Sequence, residues 1–286
     1  GGTAGVGAAS SVNSIAGSTT ARVDGSVFEA ISGLDVEAES NSLIRTAAVS
    51  GAGGGTAAVG GSVTINFITT HTVAELKDTL VDSNSADVRV VAKDGRSIDS
   101  LAGAAAVAGT VGIGAAVAFN QIGGSTRATL SGGSNGYQVH ARDVEVSAQA
   151  TNANGGNGTI AAGLGGGGMV GGAGSVAVNL MEGEVKASIA DGADVVADRN
   201  ITVKASQQQG IDVLTGSVAV GGGAAGIGLG TVVNLMTGKT TAQIAGSQTK
   251  VSSLAWNGGR GLTVDAATSQ AVNTLGTSMA VTFAPI

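Results

Sequence analysis

The chain has no cysteine, a single proline and only 2% aromatic residues. Without cysteine there are no disulfides and no thiolate metal sites. So few Phe, Tyr and Trp exclude a conventional core of large side chains. The interior must be packed from Val, Ile and Ala in narrow layers. Histidine is also scarce. His71 and His140 are the two, and they fall at unrelated positions of the repeat described below. Neither a catalytic base nor a histidine metal pair is expected, and no cofactor is implied. Charged residues make up 12% of the chain, with a net charge of −6. That balance excludes a nucleic-acid surface, which needs clustered Lys and Arg. No signal peptide is visible, and the chain opens Gly-Gly rather than Met, so it reads as a segment of something longer.

What is abundant is glycine, with 50 residues, and a repeat. In "VVNLMTGKTTAQI", Ala242 follows Asn234 by eight residues and Ile244 by ten. The same frame stands at Asn13–Ala21–Val23, Asn66–Ala74–Leu76, Asn120–Ala128–Leu130 and Asn179–Ala187–Ile189. The Asn-to-Asn steps are 53, 54, 59 and 55 residues. A second mark follows each frame, in "LDVEA", "VRVVA", "VEVSA", "ITVKA" and "LTVDA", centred on Val36, Val90, Val146, Val203 and Val264. Spacing varies most between the frame and this Val, as expected when insertions map to loops on one side of a stacked array.

"ITVKA", "VEVSA" and "EVKASI" alternate apolar and polar residues, which is the period of a strand with one buried face. No 3.6-residue stripe is present. The expected fold is all-β: a right-handed parallel β-helix, or β-solenoid, of about five ~55-residue repeats. One continuous array covers 1–286, with units near 1–50, 51–107, 108–164, 165–220 and 221–286. A solenoid coil of roughly 18–20 residues would give about three coils per unit, and so a rod of about 15 coils and ~70 Å. Apolar residues flank each repeated Asn at −1 and +2, so the inward parity is expected to switch there. Asn13, Asn66, Asn120, Asn179 and Asn234 are therefore expected at equivalent corners, where Asn tolerates the left-handed conformation. Neither end carries a shielding helix or a charged strand, so the array is expected to be uncapped, continuing within one chain or through end-to-end contact.

Three uncharged stretches, Leu101–Phe119 and residues 158–181 and 213–236, are long enough to cross a bilayer. They support an alternative reading as an integral membrane or pore-forming protein. Ala and Gly gain little from hydrocarbon, however, and flanking charges set no orientation. As strands, these stretches would let the rod's own walls, or a second rod, approach closely. Gly238-Lys239-Thr240 matches only the end of a phosphate loop, and Val233 stands where its first Gly belongs. "GIGLG" lacks the helix and spaced acid of a dinucleotide loop. Asp191, Asp194 and Asp198 lack the dense spacing of a calcium loop. Asn157 and Asn200 match the N-glycosylation pattern, as chance allows in a Thr- and Asn-rich chain. A carbohydrate-processing β-helix enzyme would need carboxylates clustered in one groove, and the repeat shows none. The candidate ligand contacts are Tyr137 and Trp256, the only Tyr and Trp, in the two longest variable loops. Exposed aromatics suit glycan or protein contact.

The units "GSVAVNLMEGEVKASIADGADVVADRNITVKAS" and "GTVVNLMTGKTTAQIAG...GLTVDAA" resemble repeats of the very large filamentous-haemagglutinin-like and leukotoxin-type adhesins secreted by Gram-negative bacteria. The resemblance covers nearly the whole chain. It implies a stalk without catalytic residues, exported through an outer-membrane partner and displayed at the cell surface as a fibre for adhesion or biofilm. The partners it implies are neighbouring repeats in the fibre and a host or neighbouring-cell surface protein or glycan. The chain departs from the roughly 19-residue repeat of the best-known haemagglutinins.

Overall fold

The computed structural model describes residues 2–132, 138–152 and 157–283. These residues are nearly all β, with one 3-10 turn at Trp256–Gly258 and no α-helix among them. The strands are β1 (Ala4–Asp24), β2 (Val27–Glu29), β3 (Gly33–Gly54), β4 (Ala57–Lys77), β5 (Leu80–Ala108), β6 (Val111–Ser131) and β7 (Gln138–Thr151). Then come β8 (Asn157–Gly167), β9 (Val170–Ala190), β10 (Asp194–Gly221), β11 (Ala225–Ile244), β12 (Lys250–Ser253) and β13 (Gly261–Thr282).

The chain alternates between two parallel sheets. The first has the order β1-β4-β6-β9-β11. The second stacks β2 and β3, then β5, then β7 and β8, then β10, then β12 and β13. Each strand pairs with the strand one unit later. Asn13 lies beside Asn66, Asn66 beside Asn120, Asn120 beside Asn179 and Asn179 beside Asn234. The second mark stacks likewise, from Val36 through Val90, Val146 and Val203 to Val264.

One unit therefore adds one long strand to each sheet. This corrects the expectation of about three short coils per unit. The five-stranded sheet is about 24 Å high at ~4.8 Å per strand, and its 21-residue strands are about 70 Å long at ~3.3 Å per residue. The molecule is a broad two-layer slab.

The two layers enclose three zones. At one end Leu76, Val88, Leu130, Val146, Ile189 and Ile201 build an aliphatic core. In the middle Ile44, Ile68, Ile98, Ile122, Met181 and Ile211 share the interior with the asparagines. At the other end mostly Ala and Gly lie between the sheets, and the walls nearly touch. A methyl group built on Gly165 would sit 1.7 Å from the carbonyl oxygen of Gly172, and one on Gly114 2.0 Å from that of Leu164. The glycine-rich stretches thus bring the slab's own walls together. Gly109-Thr110 and Gly168-Met169 join the sheets at this thin end, and Asp78-Thr79, Asp191–Ala193 and Ala245–Thr249 join them at the thick end.

The three uncharged stretches are strands lying on both sides of these tight turns. Among the described residues no helix is long and apolar enough to cross a membrane.

Candidate functional site

The repeated asparagines form the most ordered polar feature of the interior. Along β4 the buried positions are Ala58, Gly60, Ser62, Thr64, Asn66, Ile68, Thr70, Thr72, Ala74 and Leu76, with no change of parity at Asn66. None of the five asparagines has a positive φ. They are mid-strand residues pointing inward, and this corrects the expected left-handed corner. The apolar neighbour at −1 points out instead: Val12 is 68% exposed and Val233 48%. The pattern that suggested a parity switch comes from an outer face that is itself apolar.

The five amides are bonded in one direction. Nδ2 of Asn13 donates to Oδ1 of Asn66 (2.8 Å), Asn66 to Asn120 (2.8 Å), Asn120 to Asn179 (2.9 Å) and Asn179 to Asn234 (2.9 Å). A row on the facing sheet, Thr46, Ser100, Thr159, Val213 and Thr274, lies across from this ladder. Asn120 donates to the hydroxyls of Ser100 (2.8 Å) and Thr159 (2.9 Å), and Thr159 donates to Asn179 Oδ1 (2.7 Å). Buried amides need such partners, and identical side chains stacked in register supply them. Asn120→Ala should therefore cost about 1–3 kcal/mol, because the Asn66 amide and the Ser100 hydroxyl lose their acceptor or donor. Asn13→Ala, at the half-exposed end, should cost less. Urea melts of the two variants measure the difference.

Sequence reasoning missed a second buried feature. Asp94 and Arg96 are 2% and 6% exposed. They share the inward parity of Val88, Val90 and Ala92, and that parity was the signal that could have found them. Arg96 Nη2 donates to Asp94 Oδ2 (2.6 Å), and Arg96 Nη1 donates to the Gly123 carbonyl (2.9 Å). Thr70 and Thr72 donate to the same carboxylate, both at 3.2 Å. The space beside Arg96, Gly183 and Gln207 is about 10 Å³, too small to admit a substrate.

The outer faces carry paired charges at the thick end and apolar rows at the thin end. A shallow concavity of about 810 Å³ on the second sheet is lined by Asp87, Arg89, Asp143, Glu145, Lys204 and Arg260 among others. Its charges pair across strands, as in Arg142 with Asp87 (2.6 Å) and Arg89 with Glu145 (3.2 Å). These carboxylates hold both guanidiniums above their usual pKa. Nearby, the hydrogen bond from Lys93 lowers the Glu37 pKa, and Glu37 raises that of Lys93. The lowered acid stabilises above its unfolded value and loses that effect as pH falls through its folded value. The raised base stabilises below its unfolded value and loses it as pH rises through its folded value. Between about pH 5 and pH 10 this exposed pair should contribute a constant and small amount, under ~1 kcal/mol. Melts of the wild type and Lys93→Met across that window check it: the gap between them should not change with pH.

Trp256 begins the 3-10 turn, is 64% exposed, and lies two residues before Gly258 at the rim of the concavity. Tyr137 lies outside the described residues. His71 faces outward and bonds Ser125 (3.0 Å), and His140 lies between Asp82 and Asp198, 3.4 Å from each. No group of three metal-ligating side chains occurs among the described residues. Asp194 faces Lys250 at 3.8 Å, and Asp198 meets His140. Gly238-Lys239-Thr240 is extended β11 in register with Gly183-Glu184-Val185, so it cannot wrap a phosphate. Asn157 is 3% exposed and accepts from the backbone N–H of Ile98 (2.8 Å), which puts it out of reach of a glycan transferase.

No family model, no curated protein and no solved structure matches this chain.

Proposed function

We propose that the chain is a right-handed β-solenoid serving as a structural stalk or fibre segment of a large secreted bacterial surface adhesin. In this reading it supports attachment or biofilm formation without catalysis. The observation that carries it is the repetition of one cross-section: five units, one strand from each in each sheet, with the same residues over one another from Asn13 to Asn234. Such an array resists bending through continuous backbone ladders and spends its sequence on stacking. The central asparagines bond one another and Asp94 bonds Arg96, Thr70 and Thr72, a use of polar side chains that suits a spacer. The resemblance to filamentous exoproteins adds the surface location, the outer-membrane export partner and the glycan or protein ligand.

Immunogold labelling of intact cells producing the parent protein tests the stalk. Gold along surface fibres is expected, and label confined to permeabilised cells would sink the reading. Trp256 and Tyr137 are the proposed ligand contacts. Replacing both with Ser should lower attachment by the fibre several-fold while leaving its melting temperature unchanged. Unaltered attachment would remove them from the binding surface.

A further inference from the structure

The outer face of the first sheet is built like an inner one. On β4, Val63, Ile65 and Phe67 point outward, while Ser62, Thr64 and Asn66 beside them are buried between the sheets. The bulky apolar side chains are thus outside and the small polar ones inside. The next strands repeat the arrangement. Ile65, Phe119 and Val178 form one outward row, and the rings of Phe67 and Phe119 lie 5.8 Å apart. From the thin end as far as the row of Phe67, no outward position of β1, β4, β6, β9 or β11 carries a charge. Val63 and Ile113, both on inner strands, are 36% and 43% exposed. We propose that this apolar field is an interface, and that its partner is the same face of a second copy of the chain. Further repeats before β1 or after β11 would widen the face and would not cover it.

Three observations select that occupant. The first is size. The field runs about 30 Å along the strands and about 24 Å across them, or ~700 Å². Two such faces bury ~1,400 Å² in all, within the roughly 1,200–2,000 Å² of stable interfaces. A solitary soluble protein seldom leaves so large an apolar patch bare.

The second is chemistry. The field has none of the Trp, Tyr, Lys or Arg side chains that anchor a surface to a bilayer. A net charge of −6 opposes an anionic leaflet. Rows of β-branched and aromatic side chains are what two sheets present to each other in a sandwich. A second copy brings those rows at the same spacing.

The third is charge at the border. With the thin ends of two copies pointing the same way, the field covers itself. With them opposed, it would lie on the charged rows of Arg22, Glu75 and Arg127. Two like faces that meet with thin ends aligned are related by a two-fold axis along the strands. That axis sets β1 against β11, β4 against β9 and β6 against itself. In the bordering rows Glu182 then faces Thr69, Glu184 faces His71 and Lys239 faces Ser18, so no like charges meet. The contact is isologous and closes at a dimer. The same axis makes the two arrays stack in opposite directions. Within the stalk reading, on which this setting rests, the contact joins fibres reaching from two facing cells.

The test uses the purified chain. Sedimentation velocity should show a monomer–dimer equilibrium. Phe119→Lys and Val63→Lys each put a charge in the field, and each should raise the dissociation constant at least tenfold with little change in the urea midpoint. Leu164→Lys, on the outer face of the other sheet, should leave dimerisation unchanged. A spin label on Lys77→Cys should report a second label within about 30 Å, because facing sheets lie ~10 Å apart and the axis keeps the thick ends together. That distance decides the matter even if the lysine variants fail to fold. A chain that stays monomeric, a dimer that both lysine variants leave intact, or labels more than about 50 Å apart overturns the proposal. So does flotation with phosphatidylcholine–phosphatidylglycerol vesicles that Phe119→Lys abolishes, since the face would then serve lipid. Dimers in solution without gold-labelled fibres on cells would defeat the stalk reading alone. Labelled fibres built from a chain that stays monomeric would defeat this interface alone.

Discussion

Arg96→Met should destabilise the protein by about 3–5 kcal/mol, the largest loss expected from any single side-chain truncation here. The guanidinium is 7% exposed and the Asp94 carboxylate is fully buried. Removing Arg96 leaves that carboxylate with only the hydroxyls of Thr70 and Thr72, and strips the Gly123 carbonyl of its donor. A buried charge without a counter-charge is far more costly than the intact pair is valuable. The pair itself should be nearly dispensable: Asp94→Leu combined with Arg96→Met should recover most of the loss, because desolvating two ions offsets their attraction. Urea denaturation of the two single variants and the double one measures the cycle. If Arg96→Met unfolds with the wild-type midpoint, the pair is not buried as described.

Gly165→Val should cost more than ~3 kcal/mol or prevent folding, because overpacking on this scale forces backbone shifts. Its first side-chain carbon would stand 1.7 Å from the Gly172 carbonyl oxygen and 2.9 Å from that of Gly112. Those are backbone atoms of the facing sheet and cannot swing aside. The sheets would have to part along the thin end, where Ala58, Ala106 and Ala108 hold a small core. Gly174→Val is the control. It lies on the outward parity of β9, and nothing stands within 4 Å of an added methyl group. A β-branched residue suits an extended strand, so this variant should be neutral or stabilised by up to ~1 kcal/mol. Thermal melts of both variants give the contrast. Equal behaviour would mean that the walls do not approach.

The frame from Asn13 to Asn234 was legible because its internal spacing never varies, and the structure lays those residues in one row. The number of strands per unit was not legible. A repeat of about 55 residues fixes what stacks on what, but not how often the chain turns between copies. Strands of 21 and 29 residues, as in β4 and β5, lie far beyond the usual five or six. The inward role of the asparagines was hidden for a different reason. Val6 and Val12 lie on the outer face at 83% and 68% exposure, so apolar character does not mark the interior in this chain. Nothing in "VAKDGRSI" marks Asp94 and Arg96 as buried, because charged side chains ordinarily stay in water. Only the parity carried from Val88 and Val90 places them inside. The thin end was half legible: its glycines announced a close approach, and the structure identifies the facing wall as the chain's own other sheet.

Each unit contributes one long strand to each sheet. Since the chain has no cysteine, spin labels on Val59→Cys and Lys77→Cys report one distance without background. Both residues lie in β4 and point outward, and they are eighteen residues apart. Pulsed electron double resonance, with the labelled chain diluted in unlabelled protein, should give about 55–60 Å at ~3.3 Å per residue. A distance below about 20 Å would contradict the account, because a short coil would bring the two labels to neighbouring strands ~5 Å apart.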